Sequence, residues 1–119
     1  MERTSSPLLD RTYCFAVNVV RLSEQLPHTE AVAIIRRQLL RAATSVAANY
    51  RAAWRARSVR EFVAKLGMVE EEGDEALFGL DLLATLGVSH ERLGTLRQEA
   101  HEIVAMVVAS KRTARRISC

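Results

Sequence analysis

At 119 residues and a formal net charge of +3, the chain is long enough to bury a core without disulfides or metals, and it is only mildly basic. Hydrophobic residues make up 49% and aromatics 5%, with five glycines and two prolines; this excludes a disordered chain and points to helices packed through Leu, Val and Ala. Cys14 and Cys119 form no CxxC pair, so neither a disulfide framework nor a zinc site is expected. No apolar run approaches the roughly 20 residues that span a bilayer, and the N-terminal MERTSSPLLDR lacks a signal-peptide core, so a cytoplasmic protein with no membrane segment is expected.

Ser6-Pro7 marks the first helix start, because serine caps free N–H groups and proline at the first helical position has none to satisfy. A helix over about 8–26 follows. Its Leu8, Thr12, Phe15, Val19, Leu22 and Leu26 alternate spacings of four and three on one stripe, and Pro27 stops it. Thr29 caps a second helix over about 30–56, with Val32, Ile35, Leu39, Ala42, Val46, Asn49 and Ala53 on its seam. Asn49 is the one strongly polar residue there; a buried Asn needs a bonding partner, and its common use is to fix register between helices.

Ser58-Val59-Arg60-Glu61 is a capping box that opens a third helix over about 59–86. Phe62, Leu66, Val69, Gly73, Ala76, Leu80 and Leu83 form its seam, and Gly87 ends it. Gly67, Gly73 and Gly79 each cost about 1 kcal/mol against alanine in a helix, so a close helix approach or a bend is expected to compensate. Ser89 caps a fourth helix over about 90–111, with Leu93, Leu96, Ala100, Ile103 and Val107 inward, and the basic tail over 111–119 is expected to fray. One all-α domain over 1–119 results, an antiparallel up-down-up-down four-helix bundle. Val20, Ile34, Val63, Leu77, Phe78, Leu82, Val104 and Val108 lie beside the seams, a wider apolar surface than one bundle needs, which predicts a homo-oligomer.

The words that carry a family likeness are Arg41-Ala42-Ala43 with Ser45-Val46 and Ala48-Asn49, then Arg57-Ser58 with Glu61-Phe62, and Glu71-Glu72 with Asp74-Glu75. From about Tyr13 to Lys111 the chain resembles the small four-helix-bundle proteins encoded in intervening sequences of large-subunit ribosomal RNA genes, a family that also contains the accessory variability protein of diversity-generating retroelements. The resemblance implies an antiparallel bundle assembled as a ring-like homopentamer, nucleic-acid and protein partners for some members, and no enzymatic activity. The chain departs from the family pattern at Gly73 and Gly79, where related sequences often carry Ala and a large aromatic. It departs again at Arg51-Ala52-Ala53-Trp54, where many carry a Glu-Gly pair.

Charge is segregated. Arg36 to Arg60 holds seven arginines and no acid, whereas Glu61 to Glu75 holds six acids and one lysine. At 100° per residue Arg37 and Arg55 share an azimuth, with Arg41 and Arg51 within about 40° on either side, a stripe about 27 Å long. Such a stripe can neutralise successive phosphates of RNA or DNA, with Tyr50 or Trp54 as a stacking face and with Arg57, Arg60, Lys111, Arg112, Arg115 and Arg116 enlarging the patch. The plainer reading is that these arginines pair with Glu71, Glu72, Asp74 and Glu75, within or between subunits, as solvated or assembly surfaces.

No enzyme constellation emerges. A carboxylate-bridged di-metal site in a bundle needs Glu-x-x-His pairs, and the nearest match is Gln98-x-x-His101. Cys14 reads as a small buried hydrophobe without a histidine to activate it, and Thr44 and Ser45 read as residues bonding back to their own helix. No cofactor, metal or small-molecule substrate is expected. The leading expectation is a non-enzymatic oligomeric module that binds nucleic acid through Arg37, Arg41, Arg51 and Arg55; the rival is a structural or adaptor protein whose charges serve assembly and a protein partner.

Overall fold

The computed structural model describes residues 6–118, of which Ser118 is described in its backbone alone. Four helices carry the chain, α1 (Pro7–Ser23), α2 (Glu30–Trp54), α3 (Val59–Thr85) and α4 (Leu93–Ser118), with no strand among the described residues. Three begin on a side-chain cap: Ser6 accepts from the Leu9 N–H at 3.4 Å, Thr29 from Val32 at 3.2 Å and Ser58 from Glu61 at 3.0 Å. The reciprocal bond of the third cap reaches one residue further back than the capping box prescribes, because Glu61 Oε1 accepts from the Arg57 N–H at 3.1 Å. Gly87 takes φ +81° and closes α3 in a Schellman turn, with Val88 N–H on Leu83 O at 3.0 Å and Gly87 N–H on Ala84 O at 3.1 Å.

The fourth helix differs from its sequence reading at both ends. It begins at Leu93, and His90 takes the place expected of Ser89: the imidazole Nδ1 accepts from the Arg92 N–H at 3.1 Å and the His90 carbonyl from the Leu93 N–H at 3.1 Å. His90 is held there by a second bond, from its Nε2 to Gln25 Oε1 in the connection after α1. At the other end the expected fraying of 111–119 does not occur before Ser118. Lys111 Nζ bonds Glu70 Oε1 at 2.6 Å and Ala114 is buried, so the last turns are pinned to α3. Cys119 lies outside the described residues.

Each helix packs against its neighbours in chain order, and α1 also meets α4, so the four enclose one core. The first helix ends at Ser23, short of the expected 26, because the chain turns with Gln25 N–H on Leu22 O and Leu26 N–H on Ser23 O. Leu8, Thr12, Phe15, Val19 and Leu22 of α1 and Leu26 in that turn are buried, as are Leu39, Ala42 and Val46 of α2, Leu66, Val69, Ala76, Leu80 and Leu83 of α3, and Leu96, Ala100, Ile103 and Val107 of α4. Thr12 is fully buried, and its hydroxyl donates to Leu8 O at 2.8 Å, which removes the cost of a polar atom in an apolar core. Asn49 does not act between helices among the described residues: it is half-buried, and its Nδ2 donates to Ser45 O at 3.0 Å one turn back on α2. Tyr50 beside it is the buried one, with its hydroxyl 3.4 Å from Ser6 Oγ. Cys14 is exposed rather than buried, because it lies off the α1 stripe on a side that no helix covers.

The α3 glycines divide by what surrounds them. A Cβ on Gly73 would lie 2.7 Å from Val104 Cγ2, and one on Gly79 would lie 3.4 Å from Leu39 Cβ, whereas nothing comes within 4 Å of the same position at Gly67. Close approach therefore accounts for Gly73 alone; at Gly79 a Cβ would meet Leu39 at ordinary contact distance, and at Gly67 the helix carries an uncompensated propensity cost. Gly67→Ala should raise the unfolding free energy by about 0.5–1 kcal/mol in urea denaturation. Gly73→Ala should lower it by about 1 kcal/mol, because pushing the β-branched Val104 aside outweighs the helix-propensity gain.

Candidate nucleic-acid interface

The arginine stripe lies on the solvent side of α2, and its members have different surroundings. Arg37 is exposed. Arg41 is exposed but held by α3: its Nη1 donates to Glu72 Oε1 at 3.2 Å and its Nη2 to Glu75 Oε1 at 2.6 Å. The bond to Glu72, with the charges of Glu72 and Glu75, holds this guanidinium above its ordinary range. Arg51 and Arg55 lie toward α1 instead. The 40° offsets on either side of Arg37 are enough to turn Arg41 to one neighbour and Arg51 to the other.

Arg36, next to the stripe, contributes nothing to that surface; it is half-buried, with Nη1 out of solvent and without a hydrogen-bond partner among the described residues. Arg57 and Arg60, in the turn after α2 and the first turn of α3, are both exposed. None of Arg37, Arg51, Arg55, Arg57 and Arg60 forms an ion pair among the described residues. Of the acids expected opposite them, Glu72 and Glu75 share Arg41, while Glu71 and Asp74 are exposed without an ion pair.

Arg51 and Arg55 border an open cleft of about 710 Å³ between α1 and α2, formed by Leu9, Asp10 and Tyr13 on one side and Ala47, Arg51, Trp54 and Arg55 on the other. Tyr13 is 68% exposed and Trp54 is half-buried. The aromatic pair of this cleft is thus Tyr13 with Trp54. Tyr50, the other stacking face that the sequence offers, is closed off in the core. Tyr13 escaped sequence reasoning because α1 holds no arginine near it except Arg11, which is engaged elsewhere; its one signal was a large aromatic falling off the Leu8, Thr12, Phe15 stripe.

Arg11 reaches α4, where Nη2 meets Glu99 Oε1 at 2.6 Å and Glu102 Oε1 at 2.7 Å, and Nε meets Glu99 Oε2 at 2.9 Å. This two-acid clasp mirrors that of Arg41 on the opposite side of the chain, and Arg97 with Asp81 and Lys111 with Glu70 tie α4 to α3. Among the described residues no group of three or more His, Cys, Asp or Glu is placed to hold a metal ion, and no helix is long and apolar enough to cross a membrane.

These features define an all-α protein of four packed helices whose outer face on α2 is rich in unpaired arginine. The chain belongs to the family of 23S rRNA-intervening sequence proteins, whose model matches residues 7–109. It is also similar to a crystal structure of a protein with unknown function from the S23 ribosomal protein family of Bacteroides thetaiotaomicron. That structure superposes with a TM-score of 0.80 at 28% identity and covers 87% of this chain and 97% of its own. No curated protein matches the chain.

The α1–α4 clasp has a pH signature. Hydrogen bonds from Gln98 and then Arg11 hold the Glu102 carboxyl below its ordinary 4.5, so the folded state favours the carboxylate more than the unfolded chain does. Its contribution is present above that value and disappears as pH falls through the lower folded-state value. Glu102→Gln should therefore lower the melting temperature at pH 7, and the gap from the parent protein should be smaller at an acid pH well below 4.5, where the carboxylate becomes protonated. A gap of equal size at both pH values would show that the carboxylate is not its source.

Proposed function

We propose that this protein is a non-enzymatic cytoplasmic interaction module that binds RNA, or other nucleic acid, through the basic face of α2. The observation that carries the reading is the difference among its arginines: Arg37, Arg51 and Arg55, with Arg57 and Arg60 beyond them, are exposed and form no ion pair among the described residues, whereas Arg41 is neutralised by Glu72 and Glu75. Guanidinium groups not already engaged are the ones that can displace counterions from phosphates. Membership in a family named for sequences within 23S ribosomal RNA supports RNA as the first polyanion to test.

The same reading includes assembly. Pairings of Asp81 with Arg97 and Glu70 with Lys111, and of Ser6 with Tyr50, support an antiparallel up-down-up-down arrangement. Phe78, 63% exposed on α3, and Ile34, 46% exposed on α2, flank the groove of Ile35, Gln38 and Leu82, a surface that suits a second copy of the chain. Resemblance favours a ring-like homopentamer. An adaptor role, with a protein partner in place of nucleic acid and Glu71 and Asp74 in intersubunit pairs, is the second reading; the exposed apolar groove favours it.

A salt titration separates the two. Single substitutions Arg37→Ala, Arg51→Ala and Arg55→Ala should each weaken RNA binding several-fold near 50 mM salt and reduce the slope of log K against log salt by about 0.7. Arg41→Ala should do much less, because its charge is already compensated. Absence of RNA binding at low salt, or indifference to all three substitutions, overturns the nucleic-acid reading. A lower oligomer mass for these variants by light scattering would assign the arginines to assembly instead.

A further inference from the structure

The cleft between α1 and α2 holds more than positive charge. Within one opening stand two aromatic rings, Tyr13 and Trp54, two guanidinium groups, Arg51 and Arg55, and one carboxylate, Asp10. None of the three charged groups is in an ion pair among the described residues, although Asp10 and the arginines line the same space. Its volume of about 710 Å³ falls within the range of about 300–1,000 Å³ typical of sites that enclose a small molecule or a flat ring system.

Resting on the nucleic-acid reading above, we propose that this cleft takes an unpaired nucleotide of a single strand, stacks its base on Tyr13 and Trp54, and prefers guanine because Asp10 reads the base edge. Stacking on aromatic side chains and hydrogen bonding to the exposed edge is how single-stranded bases are held, and duplexed bases offer neither face. Arg51 and Arg55 supply the phosphate contacts on either side. An ionised carboxylate only accepts hydrogen bonds. Guanine alone presents two adjacent donors, N1–H and N2–H, in the spacing of the two carboxylate oxygens. Adenine and cytosine place a ring acceptor next to their amino group, and uracil flanks its single N–H with two carbonyls, so both arrangements set lone pairs against the carboxylate. A second copy of the chain fits the cleft less well, because Asp10 opposes the acids that would be needed to meet Arg51 and Arg55.

Trp54 is the sole tryptophan of the sequence, so its emission reports on the cleft directly. The test is a titration of the full chain with short RNAs of equal length: an unstructured strand alternating guanine and uracil, a uracil-only strand, an abasic strand and a duplex. The alternating strand should quench Trp54 and bind about tenfold more tightly than the uracil-only strand, and the abasic strand should bind more weakly still without quenching. Tyr13→Ala, at a position exposed enough to leave the core undisturbed, should weaken single-strand binding about tenfold and change duplex binding little.

Asp10→Asn should tighten binding to the uracil-only strand by removing a negative charge and weaken binding to the alternating strand by removing the acceptor of guanine, so that the preference is levelled; an unchanged ratio would overturn the reading of Asp10 as a guanine acceptor. Equal affinity for all the RNAs with Trp54 emission unmoved overturns the stacking inference and leaves the basic face standing. Failure to bind any RNA overturns both. A change of oligomer mass in Tyr13→Ala would assign the cleft to a second copy and overturns the inference as well.

Discussion

The seating of α3 against two neighbours at once sets the positions of the other elements. A helix normally keeps its partners about 8–10 Å away, at a distance fixed by the side chains between them. On α3 the approach to α4 is closest where a side chain is missing, since a Cβ on Gly73 would lie 2.7 Å from Val104 Cγ2, while Gly79 lies over Leu39 of α2 with room for an ordinary contact. These contacts fix the rotation of α3 about its own axis. With that rotation fixed, Leu66, Val69, Ala76, Leu80 and Leu83 are inside and Glu72 and Glu75 come out beside α2. The charge pattern of the surface is thus a consequence of packing in the core.

That consequence decides what the basic half of the chain is free to do. Arg41 falls within reach of two carboxylates because α3 is close and correctly turned; Arg51 and Arg55, further along α2 and rotated toward α1, meet no such partner. An exposed ion pair contributes little to stability, so the Arg41 cluster matters more for what it removes from the surface than for holding helices together. The Arg11 clasp on α4 uses the same device on the other side of the chain, where two acids again surround one guanidinium. The positive charge of α2 is divided into a compensated region beside α3, at Arg41, and an uncompensated one beside α1, at Arg51 and Arg55.

Much of the fold was legible in the sequence because it depends on periodicity and on caps, which are local. The α1 stripe is buried position by position, and Ser6, Thr29, Ser58 and Gly87 act where their chemistry places them. The start of α4 was not legible, because it rests on His90, which is oriented by Gln25 at 65 residues' separation. The continuation of α4 past Lys111 was hidden for the same reason, since Glu70 holds it from another helix. Asn49 shows where spacings of three and four stop being enough: at 100° per residue it lies about 100° round the helix from buried Val32, whereas Tyr50, next to it, returns to the azimuth of Val32 and takes the inward place. Of the candidate site, the arginines could be named from spacing alone, but which of them stay unpaired could not. The Tyr13 side of the cleft belongs to a helix that the arginine pattern does not include.

Assembly and ligand binding need not compete for this surface. Ile34 lies nearly at the azimuth of Arg41, two turns earlier on α2, and Gln38 between them lines the groove with Phe78 and Leu82. Ile34 and Phe78, both exposed, therefore lie on the side of α2 that faces α3, together with the arginine that is already neutralised. Arg51, Arg55 and the aromatic cleft lie on the side that faces α1. A contact between copies through the first side would bury apolar surface next to a compensated ion cluster, which avoids leaving a desolvated lone charge. It would also leave the second side of every copy facing outward. In a closed ring those outward faces would repeat at regular intervals, and a flexible strand that is weakly held at one cleft would be held far more strongly by several in succession. The division of the arginines would then let a single helix present both surfaces.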